Sequence, residues 1–185
     1  MKYSLVLDSS TTLLSVGLIN EEKIIESISY ECWQAQSEHM IPEINNLLEK
    51  HSVGIDSIGS IYVAIGPGSY TGVRIALTIA KTMAAALKCK VYPFSSLQAL
   101  KDDDNPSICL INARSNRSYV GVYQGDKCLL ADCIMTNDQV IEYINKNRSY
   151  SVCGSTKYLG IEGKVTDLVT QIFLIKDKLK EIENP

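Results

Sequence analysis

Histidine is scarce in this chain: two in 185 residues, beside one tryptophan and two phenylalanines. With only His39 and His51, a metal centre has few imidazoles to draw on. Neither histidine lies in a context that suggests a nucleophile and base pair. His39 precedes Glu43 by four residues, one helix face, which leaves a metal short of ligands; both histidines are read as surface residues. Close cysteine pairs are missing too. Cys32, Cys89, Cys109, Cys128, Cys133 and Cys153 are dispersed, mostly inside apolar runs, without the C-x-x-C spacing of zinc or redox sites. They are expected to be reduced core residues. No apolar run approaches membrane-spanning length, and the opening MKYSLVLDSSTT turns polar too soon for a secretory signal, so a cytoplasmic location is expected. Nor is there a basic excess. A net charge of −3 gives no electrostatic reason to hold nucleic acid alone. The basic residues are scattered apart from Lys176, Lys178 and Lys180, which alternate with Asp177 and Glu181 and read as a solvated helix face.

What is present is an ordinary globular composition, 45% hydrophobic and 21% charged, enough for one domain or two small lobes without a metal or disulfide. Alternation and apolar runs predict strands at 2–8, 13–20, 23–30, 58–65 and 90–94. A helix capped by Ser37 is expected to run to about His51, with Met40, Ile41, Ile44, Leu47 and Leu48 on one face and Pro42 in its first turn. A longer helix follows residues 66–72 to about Lys88, and a short one starts at Ser95. The second half repeats the plan: a strand at 107–111, a polar turn NARSNRS, a hairpin at 118–124 and 127–133, a helix at 137–147, a strand at 150–153 and a helix over 167–182.

The hairpins align at an offset of 104: Val16-Gly17-Leu18-Ile19-Asn20 against Val120-Gly121-Val122-Tyr123-Gln124, with Asp8 against Asn112 and Lys23 against Lys127. A duplicated unit of three mostly antiparallel strands, helix, parallel strand and helix is the plan of the actin/Hsp70/sugar-kinase superfold (ASKHA). An α/β fold of two lobes is therefore expected, 1–104 and a reduced 105–185. Fold analogy supplies no function.

Gly66-Pro67-Gly68-Ser69-Tyr70-Thr71-Gly72 is the most informative stretch. A glycine turn between a buried strand and a helix brings backbone N–H groups and the positive helix end close to an anion. The spacing nevertheless fails both common phosphate templates: Val73-Arg74 follows Gly72 where a Walker loop has Lys-Ser/Thr, and G-x-G-x-x-x-G is one residue too long for a dinucleotide fingerprint. Those glycines equally suit a tight turn that lets the helix pack on the sheet. Asp8 with Ser9, Ser10, Thr11 and Thr12 offers a carboxylate and hydroxyls suited to metal and phosphate, or a self-satisfied Asx turn. Asp8, Ser9, Ser10, Thr11, Gly66, Gly68, Ser69 and Gly72 thus form a candidate vestigial phosphate site. Asn112 replaces the acid in the second half and argues against a symmetric grip.

On the helix after the glycines, Arg74, Thr78, Lys81 and Thr82 form a narrow polar stripe. Val73, Ile75, Leu77, Ala80, Met83, Ala84 and Leu87 belong to an apolar arc of roughly 200°, wider than one sheet covers. Together with Met40, Ile44 and Leu47 they make a candidate partner interface.

GPGSYTGVRIALTIAKTMA resembles the signature of the TsaB (YeaZ) family. LDSSTTLLSVGL, SEHMIPEINNLLEK, VYPFSSLQAL and NARSNRSYVGVY are similar to further segments of it, in order over residues 2–125. The related catalytic family, TsaD, carries an H-x-x-x-H metal motif where this chain has Ser96 and Leu100. The resemblance implies a non-catalytic scaffold that works in forming threonylcarbamoyladenosine in tRNA, not a transferase or glycoprotease. It implies dimerisation through helices at 37–50 and 71–88 with a TsaD-like subunit, a TsaE-like ATPase joining the assembly, or a homodimer. It implies no metal or cofactor on this chain, ATP and magnesium being used by the assembly, and no direct tRNA contact by this chain alone. The rival reading from the residues is a small ASKHA-type kinase or ATPase resting on Asp8 and the glycine turn.

Overall fold

The computed structural model describes residues 2–102 and 105–182. The first strand, β1 (Tyr3–Asp8), pairs antiparallel with β2 (Leu13–Asn20), which pairs with β3 (Ile24–Glu31). Helix α1 (Gln36–Lys50) crosses to β4 (Ile58–Ala64), parallel to β1, and α2 (Tyr70–Leu87) crosses to β5 (Lys90–Phe94). The strand order is β3-β2-β1-β4-β5.

Both faces of this sheet are covered, which explains the unbroken apolar run of β1: Leu5, Val6 and Leu7 are all fully buried. Leu5 and Leu7 join Leu14, Val16, Leu18, Ile61 and Val63 beneath α1 and α2. Val6 points the other way, with Ile19, Tyr62, Ala64 and Phe94, toward α4 (Leu168–Ile175). Helix α2 turns Gly72, Ala76, Ala80 and Ala84 inward, a row of small side chains that allows close seating on β4 and β1.

The second sheet has the order β8-β7-β6-β9, built from β6 (Ser107–Arg114), β7 (Arg117–Gln124), β8 (Lys127–Thr136) and β9 (Ser151–Gly154). Helix α3 (Asn137–Lys146) starts on a capping box between Thr136 and Gln139 and packs Val140 on Ile108, Leu110, Val120 and Val122. The spacing of 104 residues that aligned the hairpins also relates β2 to β7 end for end.

The structure corrects several expectations. Helix α1 begins at Gln36 after Ala35, with no side-chain cap from Ser37. Pro42 therefore sits in the helix interior; it and Glu38, whose carbonyl loses its partner, are on the exposed side, where water can serve. The short helix from Ser95 is a single 3-10 turn, Gln98–Leu100. The polar turn 112–118 shrinks to Ser115-Asn116, both at positive φ, as a two-residue hairpin with right-handed strand twist requires. The helix expected over 167–182 stops at Ile175, and Lys176–Lys178 form a separate turn. That last segment does not complete the second lobe. Val169 fills the space over Gly17, Asp167 accepts a hydrogen bond from Ser27 at 2.6 Å, and Ile182 donates its N–H to Val91 at 2.9 Å, all on the first sheet. Of the lobe expected at 105–185, the described residues from Asp167 to Ile182 therefore make contacts with the first sheet. Residues 183–185, at the end of the expected lobe, lie outside the described residues.

Candidate functional site

The turn after β1 and the glycine turn before α2 are locked together. Ser69 donates its N–H to the Ser10 carbonyl at 2.6 Å, and the Ser9 hydroxyl donates to the Gly72 carbonyl at 2.7 Å. A Cβ on Gly68 would stand 2.2 Å from the Ser10 carbonyl oxygen, and one on Gly72 would stand 1.9 Å from that of Ser9. These glycines are needed because another stretch of backbone already fills the space in front of them. Gly66, at φ +96°, accepts the Ser96 N–H at 2.8 Å and so ties the turn to β5 as well. Ser69 caps α2 by accepting the Gly72 N–H at 3.2 Å. The structure thus brings Asp8, Ser9, Ser10, Gly66, Gly68, Ser69 and Gly72 together as a packing joint, with Thr11 at its half-buried edge.

Asp8 belongs to the joint's interior. It is 5% exposed and accepts the Ser10 N–H at 2.7 Å. Burial pushes its carboxyl pKa up, outweighing the lowering by the N–H and hydroxyl of Ser10 and the N–H of Ser9. Among the described residues the Ser96 hydroxyl is buried without a hydrogen-bond partner. Asn112, the counterpart of Asp8, is exposed on a hairpin tip and accepts the Arg114 N–H at 2.8 Å. The two turns do not form a matched pair.

The ten expected interface positions divide in two. Met40, Ile44, Leu47, Ala80 and Ala84 are 0–4% exposed and sit in the chain's own core, so no partner can touch them. Their periodicity reported an inward face, which a sequence shows without saying what covers it. Val73, Ile75, Leu77, Met83 and Leu87 are half-buried along the flanks of α2. The large apolar side chains most open to solvent on these helices are Ile41, 51% exposed on α1 although expected on its inward face, and Tyr70, 76% exposed at the start of α2. Arg74 lies over the Tyr70 ring, 5.3 Å from its centroid. Helix α1 is pinned at its far end, where Glu26 of β3 meets Lys50 at 2.7 Å and His51 at 2.6 Å. Hydrogen bonds from Lys50 and then His51 hold the Glu26 carboxyl pKa below its usual value. His39 is exposed and His51 half-buried. Cys32, Cys109 and Cys153 are buried, whereas Cys128 is exposed. Among the described residues no group of three or more His, Cys, Asp or Glu is placed to hold a metal ion. No described helix is long and apolar enough to cross a membrane.

Sequence reasoning missed the junction between the sheets. Ser95 donates to Asp132 at 2.5 Å, Tyr123 donates to the other oxygen of the same carboxylate, and Leu97 and Leu100 pack on Cys109, Tyr123 and Cys153. Burial, then the Asp132 carboxylate, push the Tyr123 phenol pKa upward. The one signal was an aspartate within the apolar strand β8.

Two duplicated lobes joined in this way define the class: an α/β protein of the actin/Hsp70/sugar-kinase plan. The chain matches the family of TsaD, tRNA N6-adenosine threonylcarbamoyltransferase, over residues 30–154, and it belongs to that family. Among curated proteins, it is 32% identical to the tRNA threonylcarbamoyladenosine biosynthesis protein TsaB of Bacillus subtilis over 70% of this chain and 58% of that one. It is 25% identical to the TsaB of Buchnera aphidicola subsp. Schizaphis graminum over 97% of this chain and 80% of that one. It therefore spans less than two thirds of the Bacillus relative. Its fold superposes on YeaZ from Pseudomonas aeruginosa with a TM-score of 0.83 at 22% identity, covering all of this chain and 96% of that one. The resemblance to TsaB (YeaZ) drawn from the sequence is borne out.

Proposed function

We propose that this chain takes part in the biosynthesis of threonylcarbamoyladenosine in tRNA as a non-catalytic scaffold that binds a TsaD-like catalytic subunit. A TsaE-like ATPase joins that assembly, and ATP and magnesium are used there rather than on this chain. The observation that carries the reading is the joint at Gly68 and Gly72. Their open sides are filled by the carbonyls of Ser10 and Ser9, so the stretch that would cradle a phosphate instead fixes the start of α2. A helix anchored in this way presents a constant outward surface, suited to docking. Names of relatives support the pathway: the TsaB proteins of Bacillus subtilis and Buchnera aphidicola are both called tRNA threonylcarbamoyladenosine biosynthesis proteins.

The test is copurification with the cognate TsaD-like subunit. Ile41→Asp places a charge on the exposed face of α1 and should weaken association at least tenfold with the circular dichroism of the chain unchanged. Ala80→Arg cannot serve, because Ala80 is fully buried and the arginine would break the fold. Full-strength association by Ile41→Asp would remove this face from the interface. The rival reading, a nucleotide-dependent enzyme built on Asp8, requires calorimetric binding of ATP with magnesium to the isolated chain.

A further inference from the structure

Two thiols distant in sequence meet in the second sheet. Cys109 on β6 and Cys153 on β9 are register partners in the parallel pairing of those strands, and both pack with Leu97, Ile111 and Tyr123. Both are fully buried. Neighbouring strands lie about 4.8 Å apart, within the roughly 4.4–6.8 Å between Cα atoms that a disulfide tolerates. Among the described residues no other two cysteines are register partners: Cys128 and Cys133 oppose Tyr123 and Val120 on β7, and Cys32 and Cys89 pack with the first sheet. The surroundings also set the two sulfurs apart. A hydrogen bond between the thiols holds the Cys153 pKa below its usual value against the effect of burial. The same bond, with burial, lifts that of Cys109, so Cys153 ionises first.

We infer that Cys109 and Cys153 form a reversible dithiol–disulfide pair, oxidised by a small hydroperoxide such as hydrogen peroxide. The Cys153 thiolate attacks one peroxide oxygen and the O–O bond breaks. Hydroxide leaves and takes up the proton that Cys153 gave up, forming water, while Cys153 becomes a sulfenic acid. The Cys109 sulfur then attacks the Cys153 sulfur and displaces hydroxide, which takes the Cys109 proton and leaves as a second water. The two thiols lose two electrons and the peroxide gains them. Access runs through β9, a four-residue edge strand. Its outer side exchanges hydrogen bonds with Lys164, Gly154 donating to the Lys164 carbonyl at 2.9 Å and Lys164 donating its N–H to the Val152 carbonyl at 2.8 Å. The next residue, Val165, is 83% exposed, so this cover belongs to the solvated surface. Oxidation draws together two side chains of the cluster that seats Leu97, and so alters the packing that joins the sheets.

The experiment treats the reduced full chain with hydrogen peroxide, alkylates the remaining thiols in denaturant and maps the peptides by mass spectrometry, with and without later dithiothreitol. The expected result is a single link, Cys109 to Cys153, with the loss of two hydrogens from the chain and full return under dithiothreitol. Cys109→Ala lacks the second sulfur and should hold Cys153 as a sulfenic acid that dimedone labels. Cys128→Ser, which removes an exposed thiol, should leave the link unchanged. If peroxide oxidises Cys128 while Cys109 and Cys153 are still alkylated in full, the inference is overturned. It is equally overturned if the link forms only in chain unfolded with urea, or if Cys153 joins other cysteines as readily as Cys109.

Discussion

The two lobes start from the same strand order and finish differently. In the first, the turn after the opening strand is interior: Asp8, Ser9 and Ser10 are 5% exposed or less, pressed against the glycines that begin α2. In the second, the equivalent turn is a bare hairpin tip in which Asn112, Arg114, Ser115 and Asn116 all face solvent. The cause lies in the segment that each lobe places after its parallel strand. After β4 comes an 18-residue helix whose start needs a seat, and the β1–β2 turn supplies it. After β9 the chain runs through a short 3-10 turn, Lys157–Leu159, and then crosses to the first sheet as α4. Helix α4 packs on Val6, Ile19, Tyr62 and Phe94, the face of the first sheet opposite α1 and α2. The hairpins match across the two lobes, whereas the buried turn of the first corresponds to an exposed one in the second.

The comparison breaks most sharply at Gly72. Gly72→Ala drives a methyl into the Ser9 carbonyl, where backbone stands on both sides, and should lower stability by about 3 kcal/mol or more in urea unfolding. A loss under about 1 kcal/mol would mean that the joint is loose. Next is the junction. Leu97→Ala removes a fully buried side chain between the lobes and should destabilise by about 2–4 kcal/mol, with the second sheet losing amide-exchange protection before the first.

Asp8→Asn sharpens the contrast through pH. Burial raises the Asp8 carboxyl pKa in the folded chain above its unfolded value, so the folded state holds the proton more tightly. The stabilising contribution of neutral Asp8 is complete below the unfolded pKa and is lost as pH rises through the folded one. At neutral pH Asp8→Asn, which can still accept the Ser10 N–H, should be no less stable than the native chain. Its advantage should shrink as the pH is lowered toward 4. A catalytic carboxylate held charged by a metal would show the opposite trend. The smallest effect belongs to the exposed turn: Asn116→Gly, at φ +57°, should change stability by no more than about 0.5 kcal/mol.

Much of the fold was legible because apolar runs bounded by polar turns mark the strands and apolar residues three and four apart mark the helices. The offset linking β2 to β7 could be read from five aligned residues. Neighbours in space were not legible. The inward row Met40, Ile44 and Leu47 has the same pattern whether its own sheet or a partner covers it. The C-terminal segment looked like one helix because Leu168, Ile172, Ile175 and Leu179 continue at helical spacing; tertiary contacts end it at Ile175, where the tail turns to run beside β5. For the glycines the sequence allowed an anion cradle or a packing turn, and it gave no sign of the Ser9 and Ser10 carbonyls that stand in front of Gly72 and Gly68. Asp132 showed only as an acid within β8, because its partner Ser95 stands 37 residues away.

The central claim is that the outward faces of the first two helices, and not the Asp8 turn, do the work of this chain. Sedimentation of the chain mixed with its cognate TsaD-like subunit, comparing Ile41→Asp with Asp8→Asn, tests it most directly. The account predicts that Ile41→Asp sediments apart from that subunit while Asp8→Asn still forms the complex. Loss of the complex by Asp8→Asn alone, with Ile41→Asp unaffected, would contradict it.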